Sequence, residues 1–160
     1  MTAAISLAAV LFLATSLFHF ATLRWLSGRM SRITMSDSAR VLVILMAIVV
    51  AHLVEIAGYA VAYAIAAEHL RIGAFGGVPI REPFDYLYFS TVSYTSLGLG
   101  DAFPSGHLRF ITGIETLNGL LLIAWSGSFI YLAMTRLWRW EPCASPHSAQ
   151  CGDAHPADEL

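Results

Sequence analysis

Long apolar stretches separated by short polar connections dominate the chain. Three of them, Ala3 to Leu23, Val41 to Ala67 and Phe110 to Met134, together contain two acidic residues and no lysine or arginine. A helix of roughly 20 residues crosses a bilayer core, so each stretch predicts a transmembrane helix. A fourth apolar segment, Phe84 to Ser96, is too short to span. The pattern therefore predicts an all-α membrane protein with three spanning helices and one short re-entrant helix.

The ends of these stretches divide the chain into eight parts. They are an N-terminal helix (1–26), a basic loop (27–40), an outer helix (41–67), an outer loop (68–83), a short helix (84–96), a glycine-containing segment (96–101), an inner helix (108–138) and a tail (139–160). We group residues 41–138 as one domain. The tail is rich in proline, alanine and acidic residues, and we expect it to be disordered.

Arginine placement predicts the orientation. Six of the nine arginines follow the first or the third apolar stretch: Arg24, Arg29, Arg32, Arg40, Arg136 and Arg139. Positively charged connections face the cytoplasm, so the N-terminus and residues 68–109 lie outside and the C-terminus lies inside. No basic region precedes the first stretch, which favours a retained helix over a cleaved signal peptide. We expect a multi-pass protein of the plasma membrane.

Composition supports a lipid environment. The chain is 57% hydrophobic and 12% charged, with a net charge of −2 and a mean hydropathy of +0.65. A soluble domain carries about twice that charged fraction. The near-zero net charge gives no sign of a nucleic-acid partner.

The segment after the short helix has a pattern suited to cation binding. Pro83 and Asp85 favour a helix start, and Gly98 and Gly100 follow the helix in alternation with leucines. Glycine adopts positive φ without penalty, so this alternation lets successive carbonyl groups point the same way. A row of such carbonyls replaces the hydration shell of a cation, and the nearby helix C-terminus also favours positive charge.

The sequence TSLGLGD followed by AFP resembles the selectivity filter of tetrameric potassium channels, whose pattern is T-T-V-G-Y-G-D-x-x-P. The matching positions are Thr95, Gly98, Gly100, Asp101 and Pro104. The order of helices also resembles the pore domain of the small prokaryotic type: outer helix, re-entrant pore helix, filter and inner helix. The resemblance covers residues 41 to 138 and leaves the first helix outside.

The resemblance implies a homotetrameric cation channel, with no enzymatic activity, small-molecule substrate or cofactor other than permeant K⁺. It implies that K⁺ sites are lined by the carbonyls of Ser96, Leu97, Gly98 and Leu99 and by the Ser96 hydroxyl. Ser96, Leu97 and Leu99 stand where the family has Thr, Val and Tyr. Since Leu99 lacks the family's tethering hydroxyl, strict discrimination against sodium stays open.

Two carboxylic acids lie inside the predicted spans, where ionisable groups are costly and often functional. One hypothesis is that Glu55 and Glu115 hydrogen-bond to pore-helix groups such as Tyr94 and replace the missing tether. The alternative is a carboxyl satisfied by a neighbouring helix without a role in conduction. The aromatic residues Tyr86, Tyr88 and Phe89 are expected to pack the pore helix against its neighbours.

Three further features have competing interpretations. His52 lies three residues from Glu55, and two ligands are too few for a metal site, so an interhelical hydrogen bond is expected; the same holds for His19. Gly119 is either a gating hinge or a site of close helix packing. The tail residues Cys143, His147, Cys151 and His155 recur every four positions as in a zinc site, whereas the neighbouring prolines and Gly152 favour disorder.

Two other functions compete with a channel. One is a non-conducting membrane partner or scaffold with a pore-like fold. The other is an intramembrane aspartyl protease, because G-x-G-D also occurs there. That chemistry needs a second aspartate within a neighbouring span, and the three apolar stretches contain none.

Overall fold

A computed structural model describes residues 1–30 and 34–137, apart from the side chain of Met30. Four α-helices account for most of it: α1 (Thr2–Met30), α2 (Asp37–Ala64), α3 (Pro83–Tyr94) and α4 (Leu108–Leu137), and a π-helical turn, Ile65–His69, continues α2. Two short strands, β1 (Phe75–Gly77) and β2 (Ala102–Pro104), flank α3 along the chain. The described residues leave out positions 31–33 and 138–160. These positions include Arg32 and the four tail residues Cys143, His147, Cys151 and His155.

The three predicted spans are present. The helical segments Thr2–Arg29, Asp37–His69 and Leu108–Leu137 are long and apolar enough to cross a membrane, whereas α3 has only 12 residues. The helical membrane fold is therefore confirmed. The helices extend beyond the apolar stretches at several ends, and α1 and α2 together shorten the predicted loop 27–40. Polar residues end an apolar stretch, but they do not end a helix, because the backbone hydrogen bonds of a helix also form outside the bilayer core.

Two apolar clusters hold the helices together. The larger one joins small residues near the start of α1, such as Ala4 and Ala8, to α2, α3 and the start of α4. The smaller one lies at the other end of the bundle, where Leu23 and Leu26 pack against Ile44 and Ile48. Since α1 contributes to both clusters, it packs along the bundle rather than facing lipid on all sides.

The outer loop contains a strand pairing that the sequence pattern did not indicate. Strand β1 pairs antiparallel with β2, with Gly76 opposite Phe103 and Gly77 opposite Ala102. A Cβ atom at Gly77, which has φ 85°, would lie 3.1 Å from the Asp101 carbonyl carbon and closer still to its oxygen, so this position requires glycine. The pairing attaches β2, which directly follows the glycine-containing segment, to the outer loop that contains β1. Three-residue strands rich in glycine carry too little alternation to be recognised from sequence.

Candidate functional site

The start of α3 is fixed by its predicted residues. Pro83 occupies the first turn, and Glu82 and Asp85 form a capping box. The Asp85 Oδ2 atom accepts hydrogen bonds from the backbone N–H groups of Arg81 and Glu82 at 2.8 and 2.9 Å. These bonds lower the pKa of the Asp85 carboxyl. The predicted helix start at this position is confirmed.

The segment that follows α3 caps the C-terminus of this helix. The Ser96 N–H donates to the Ser93 carbonyl at 3.0 Å, and the Leu97 N–H donates to the Val92 carbonyl at 2.9 Å. This is a Schellman motif, with Ser96 at φ 60° in the left-handed position that glycine usually occupies. The helix ends at Tyr94, two residues before the predicted end.

The backbone of residues 96–100 alternates in conformation. Ser96, Gly98 and Gly100 have φ values of 60°, 55° and 77°, and the two leucines between them have negative φ. No residue in the described ranges 1–30 and 34–137 donates a hydrogen bond to the carbonyl oxygens of 96–100. The positive φ of Ser96 disfavours a β-branched residue, which gives a local physical reason for serine instead of threonine.

Asp101 is tied back to the helix. Its Oδ2 atom accepts a hydrogen bond from the Tyr88 hydroxyl at 2.7 Å, and its backbone carbonyl accepts one from Val78 N–H at 2.8 Å. The Tyr88 hydrogen bond lowers the pKa of Asp101 and raises that of Tyr88. Tyr86 and Phe89 are buried as expected. Tyr88 was also expected to pack against neighbouring parts of the protein, but it is exposed and its hydroxyl reaches Asp101. Helical periodicity does not indicate this contact.

A buried polar cluster lies behind the end of α3. The Tyr94 hydroxyl donates to Glu55 Oε2 at 2.5 Å, so the hydrogen bond that one of the two hypotheses for Glu55 requires is present. His19 Nδ1 lies 2.9 Å from Glu55 Oε1, and His52 Nδ1 lies 3.1 Å from Glu55 Oε2. Both histidines also contact the Ser126 hydroxyl at 3.0 Å. The expected interhelical hydrogen bonds of His19 and His52 are confirmed, whereas Ser126 was not identified from sequence.

Glu115 makes the second link to α3. Its Oε1 atom accepts a hydrogen bond from the Ser90 hydroxyl at 2.6 Å, and its Oε2 atom accepts one from the Tyr63 hydroxyl at 2.5 Å. Ser90 also contacts the Ile56 carbonyl oxygen at 2.8 Å. Both membrane-embedded carboxylic acids thus bind groups of α3, and the effect of these bonds on selectivity remains a prediction.

Gly119 allows α4 to approach the end of α3 closely. A Cβ atom at this position would lie 3.0 Å from the Tyr94 carbonyl carbon and closer still to its oxygen. Nearby, the Thr116 hydroxyl donates to the Ser93 carbonyl at 3.0 Å. The geometry favours the close-packing interpretation of Gly119, and its role as a hinge stays a prediction.

The two aspartates that the protease alternative could use are engaged elsewhere. Asp85 accepts the helix-capping bonds, and Asp101 accepts bonds from Tyr88 and from the Ala102 N–H at 2.9 Å. Within the described residues, neither aspartate's own carboxyl group has a hydrogen bond or ion pair to a second carboxyl group. The geometry gives this chemistry no support.

Every residue of the segment 96–101 is exposed in the described part of the chain. Leu97 and Leu99 are 62% and 59% exposed. Non-helical backbone at membrane depth is stable only where protein buries it or where it lines water. The described part of the chain does not bury this segment.

Comparison with known proteins agrees with this geometry. A family model described as "Ion channel" matches residues 40–136. The matched range begins in the first turn of α2, includes α3 and the segment 96–101 and ends within the last turn of α4, while α1 lies outside it. Searches of curated proteins and of solved structures gave no significant match.

Proposed function

The chain belongs to the ion channel family, and from this premise we propose that four copies form a potassium-conducting cation channel around a shared axis. In this assembly α2 is the outer helix, α3 the pore helix and α4 the inner helix. Residues 95–101 form the selectivity filter, with Thr95 at its inner end and Asp101 at its mouth. Dehydrated K⁺ ions would bind the carbonyl oxygens of residues 96–99 and the Ser96 hydroxyl.

One observation carries the proposal: within the described residues, backbone N–H groups of the filter have hydrogen-bond partners, whereas its carbonyl oxygens do not. The N–H groups of Ser96, Leu97 and Gly98 bond to carbonyls of α3, whereas the carbonyl oxygens of 96–100 have no donor within the described chain. Alternating φ lets those oxygens turn toward one side. Carbonyls that have no protein donor at membrane depth require water or cations as partners.

The exposed side chains support assembly. If the carbonyls of the filter face an axis, Leu97 and Leu99 face away from it, and neighbouring subunits would cover them. The leucine at position 99 has no hydroxyl with which to anchor the filter. We propose that the bonds Tyr94–Glu55, Ser90–Glu115 and Tyr88–Asp101 hold the filter instead.

The arginine distribution supports the orientation that the proposal requires. Arg29 lies in the last turn of α1 and Arg136 in the last turn of α4, on the side of the bundle opposite the filter mouth. We propose that this side faces the cytoplasm of a cell whose plasma membrane contains the channel. The outer loop and strand β2 then lie at the outer surface, and α3 and the filter enter the membrane from that side.

Reconstitution tests the proposal directly. Purified protein in liposomes should give K⁺ flux, and bi-ionic reversal potentials should show K⁺ permeability above that of Na⁺. The variant Gly98→Ala places a side chain at φ 55°, which costs about 1–2 kcal/mol per chain, and should abolish flux. The matched control is Gly127→Ala, a helical site with open space around its Cβ, which should conduct.

Each contrary result has a separate meaning. Equal permeability to Na⁺ and K⁺ would refute selectivity and leave cation conduction intact. A stable tetramer without flux would favour the scaffold alternative. A monomer or dimer by mass measurement in detergent would overturn the shared-axis proposal altogether.

A further inference from the structure

Five side chains from all four helices form one buried cluster, here called the His–Glu cluster: His19, His52, Glu55, Tyr94 and Ser126. Six short contacts join them: Glu55 to His19 (2.9 Å), to His52 (3.1 Å) and to Tyr94 (2.5 Å), His52 to Tyr94 (2.9 Å), and Ser126 to His19 and to His52 (3.0 Å each). The side chains of His19 and Glu55 have no solvent exposure, and that of His52 is 17% exposed.

The cluster has too few hydrogens to satisfy these contacts when the carboxylate is ionised and both imidazoles are neutral. Each neutral histidine, the serine and the tyrosine supplies one hydrogen. If both histidines carry it on Nδ1, the Ser126 hydroxyl can donate to only one of the two Nε2 atoms. If either histidine carries it on Nε2, its Nδ1 lone pair faces a Glu55 oxygen. Every combination of tautomers therefore leaves at least one contact in which two lone pairs face each other with no hydrogen between them.

A divalent metal ion would remove the opposition between the imidazole lone pairs and Glu55, and of the six contacts it would leave only that between His52 Nδ1 and the Tyr94 hydroxyl without a hydrogen bond or a shared metal ion. With the metal on Nδ1 of both His19 and His52 and on Glu55, each imidazole keeps its hydrogen on Nε2. Both Nε2–H groups then donate to the Ser126 oxygen, which has two lone pairs, and the Tyr94 hydroxyl donates to the carboxylate. Such outer partners are the usual companions of metal-binding histidines and carboxylates. The metal would also compensate the Glu55 charge inside the membrane.

We propose that the His–Glu cluster is a metal site that binds one first-row divalent transition metal ion, such as Zn²⁺, through His19, His52 and Glu55. Two imidazoles and one carboxylate form a known zinc ligand set. The donor atoms of the three residues lie within 4.8 Å of one another. Ligands at about 2.0–2.1 Å in tetrahedral geometry stand about 3.3 Å apart, so the contacts of 2.9 and 3.1 Å need widen only slightly.

The sequence pattern did not indicate a metal site here because the third ligand comes from a different helix. His52 and Glu55 are neighbours on α2, but His19 comes from α1, and only the packing of α1 against α2 brings it to them. Tyr94 is the last residue of α3, directly before Thr95. A bound metal would therefore fix α1 and α2 behind the segment 95–101. Metal binding itself is independent of whether the protein conducts ions.

Cobalt binding to the full-length chain tests the site. Because the tail has its own potential ligands, the background variant combines Cys143→Ser, His147→Asn, Cys151→Ser and His155→Asn. After treatment with a chelator and removal of the chelator, Co²⁺ should bind at one equivalent per chain. It should show the visible d–d absorption of a four-coordinate site, without thiolate charge-transfer bands, and Zn²⁺ should displace it.

Variants of the cluster locate the binding. His52→Gln should abolish the Co²⁺ spectrum, and Ser126→Ala, which removes only the outer partner, should weaken binding about 10–100-fold. The matched control His107→Gln alters an exposed histidine in the turn directly before α4 and should bind as the background does.

Two outcomes would overturn the proposal. One is the absence of stoichiometric Co²⁺ binding by the folded background variant, in which case a proton supplies the missing hydrogen of the cluster. The other is binding that survives His52→Gln and His19→Gln unchanged. The measurement on the background variant decides the question even if these two variants fail to fold.

Discussion

Gly119→Ala distinguishes close packing from a hinge in the inner helix. The new Cβ would lie 3.0 Å from the Tyr94 carbonyl carbon and its ring Cγ, and nearer still to the Tyr94 oxygen. The carbonyl carbon and oxygen belong to the backbone at the end of α3, so neither they nor the new Cβ can move aside by a rotamer change. Helix α4 must therefore shift away from α3. Overpacking of this kind costs about 1–3 kcal/mol.

Gly113→Ala is the matched control on the same helix. A Cβ atom there meets nothing within 4 Å, and alanine is favoured over glycine within a helix by roughly 0.5–1 kcal/mol. The two variants should therefore change stability in opposite directions. Thermal unfolding in detergent should show Gly119→Ala below the parent by about 2–12 °C, from a shift of about 2–4 °C per kcal/mol for a chain of this size.

The same pair of variants should differ in conduction. A displaced α4 also disturbs the Thr116 bond to Ser93 at the end of the pore helix, so Gly119→Ala should reduce K⁺ flux in liposomes. Equal melting temperatures for Gly119→Ala and Gly113→Ala would refute the packing argument. A stabilised Gly119→Ala variant with impaired opening would support a hinge instead.

Three further predictions concern the contacts around the filter. Tyr94→Phe removes the donor to buried Glu55 and should lower the free energy of unfolding by about 1–3 kcal/mol, measured by chemical or thermal denaturation in detergent. Tyr88→Phe should raise the pKa of Asp101, because the Tyr88 hydroxyl lowers it. That bond contributes stability above the ordinary pKa of aspartate and loses it as the pH falls through the lowered value, so the melting-temperature difference from the parent should vanish in acid. Ser96→Thr should destabilise the proposed tetramer, because a β-branched residue is strained at φ 60°, and thermal dissociation of that assembly measures this.

Each of these predictions has its own control. Tyr131→Phe alters a tyrosine that is 67% exposed and should leave stability unchanged. Ser96→Gly keeps the left-handed backbone accessible, so it should preserve the tetramer even though it removes the hydroxyl. A Tyr94→Phe variant as stable as the parent, a pH-independent difference for Tyr88→Phe, or a Ser96→Thr tetramer of parental stability would each contradict its argument.

Local patterns predicted much of the fold. The apolar stretches predicted three spans, and Pro83 with Asp85 predicted the start of α3, because hydrophobic length and helix capping act within a few residues. The alternation of Gly98 and Gly100 indicated the left-handed backbone positions. Ser96 was missed as a third such position, since serine carries no preference that marks a Schellman motif.

Long-range partners could be predicted only in part. The sequence suggested that Glu55 binds a pore-helix group such as Tyr94, because both fall at the same expected depth in the membrane. It did not indicate Tyr88 as the partner of Asp101, or the strand pairing of Phe75–Gly77 with Ala102–Pro104. Those contacts depend on how the outer loop folds back over α3.

The amino-acid sequence alone determined which segments enter the membrane and where the helical pattern gives way to glycine-rich backbone. Only the tertiary structure decided that His19, His52, Glu55 and Ser126 meet behind Tyr94. Burial of apolar surface specifies that a helix lies in the bilayer, but it is nearly indifferent to rotation about the helix axis. The close packing of α1, α2, α3 and α4 fixes those rotations, and with them which polar side chains share an interior.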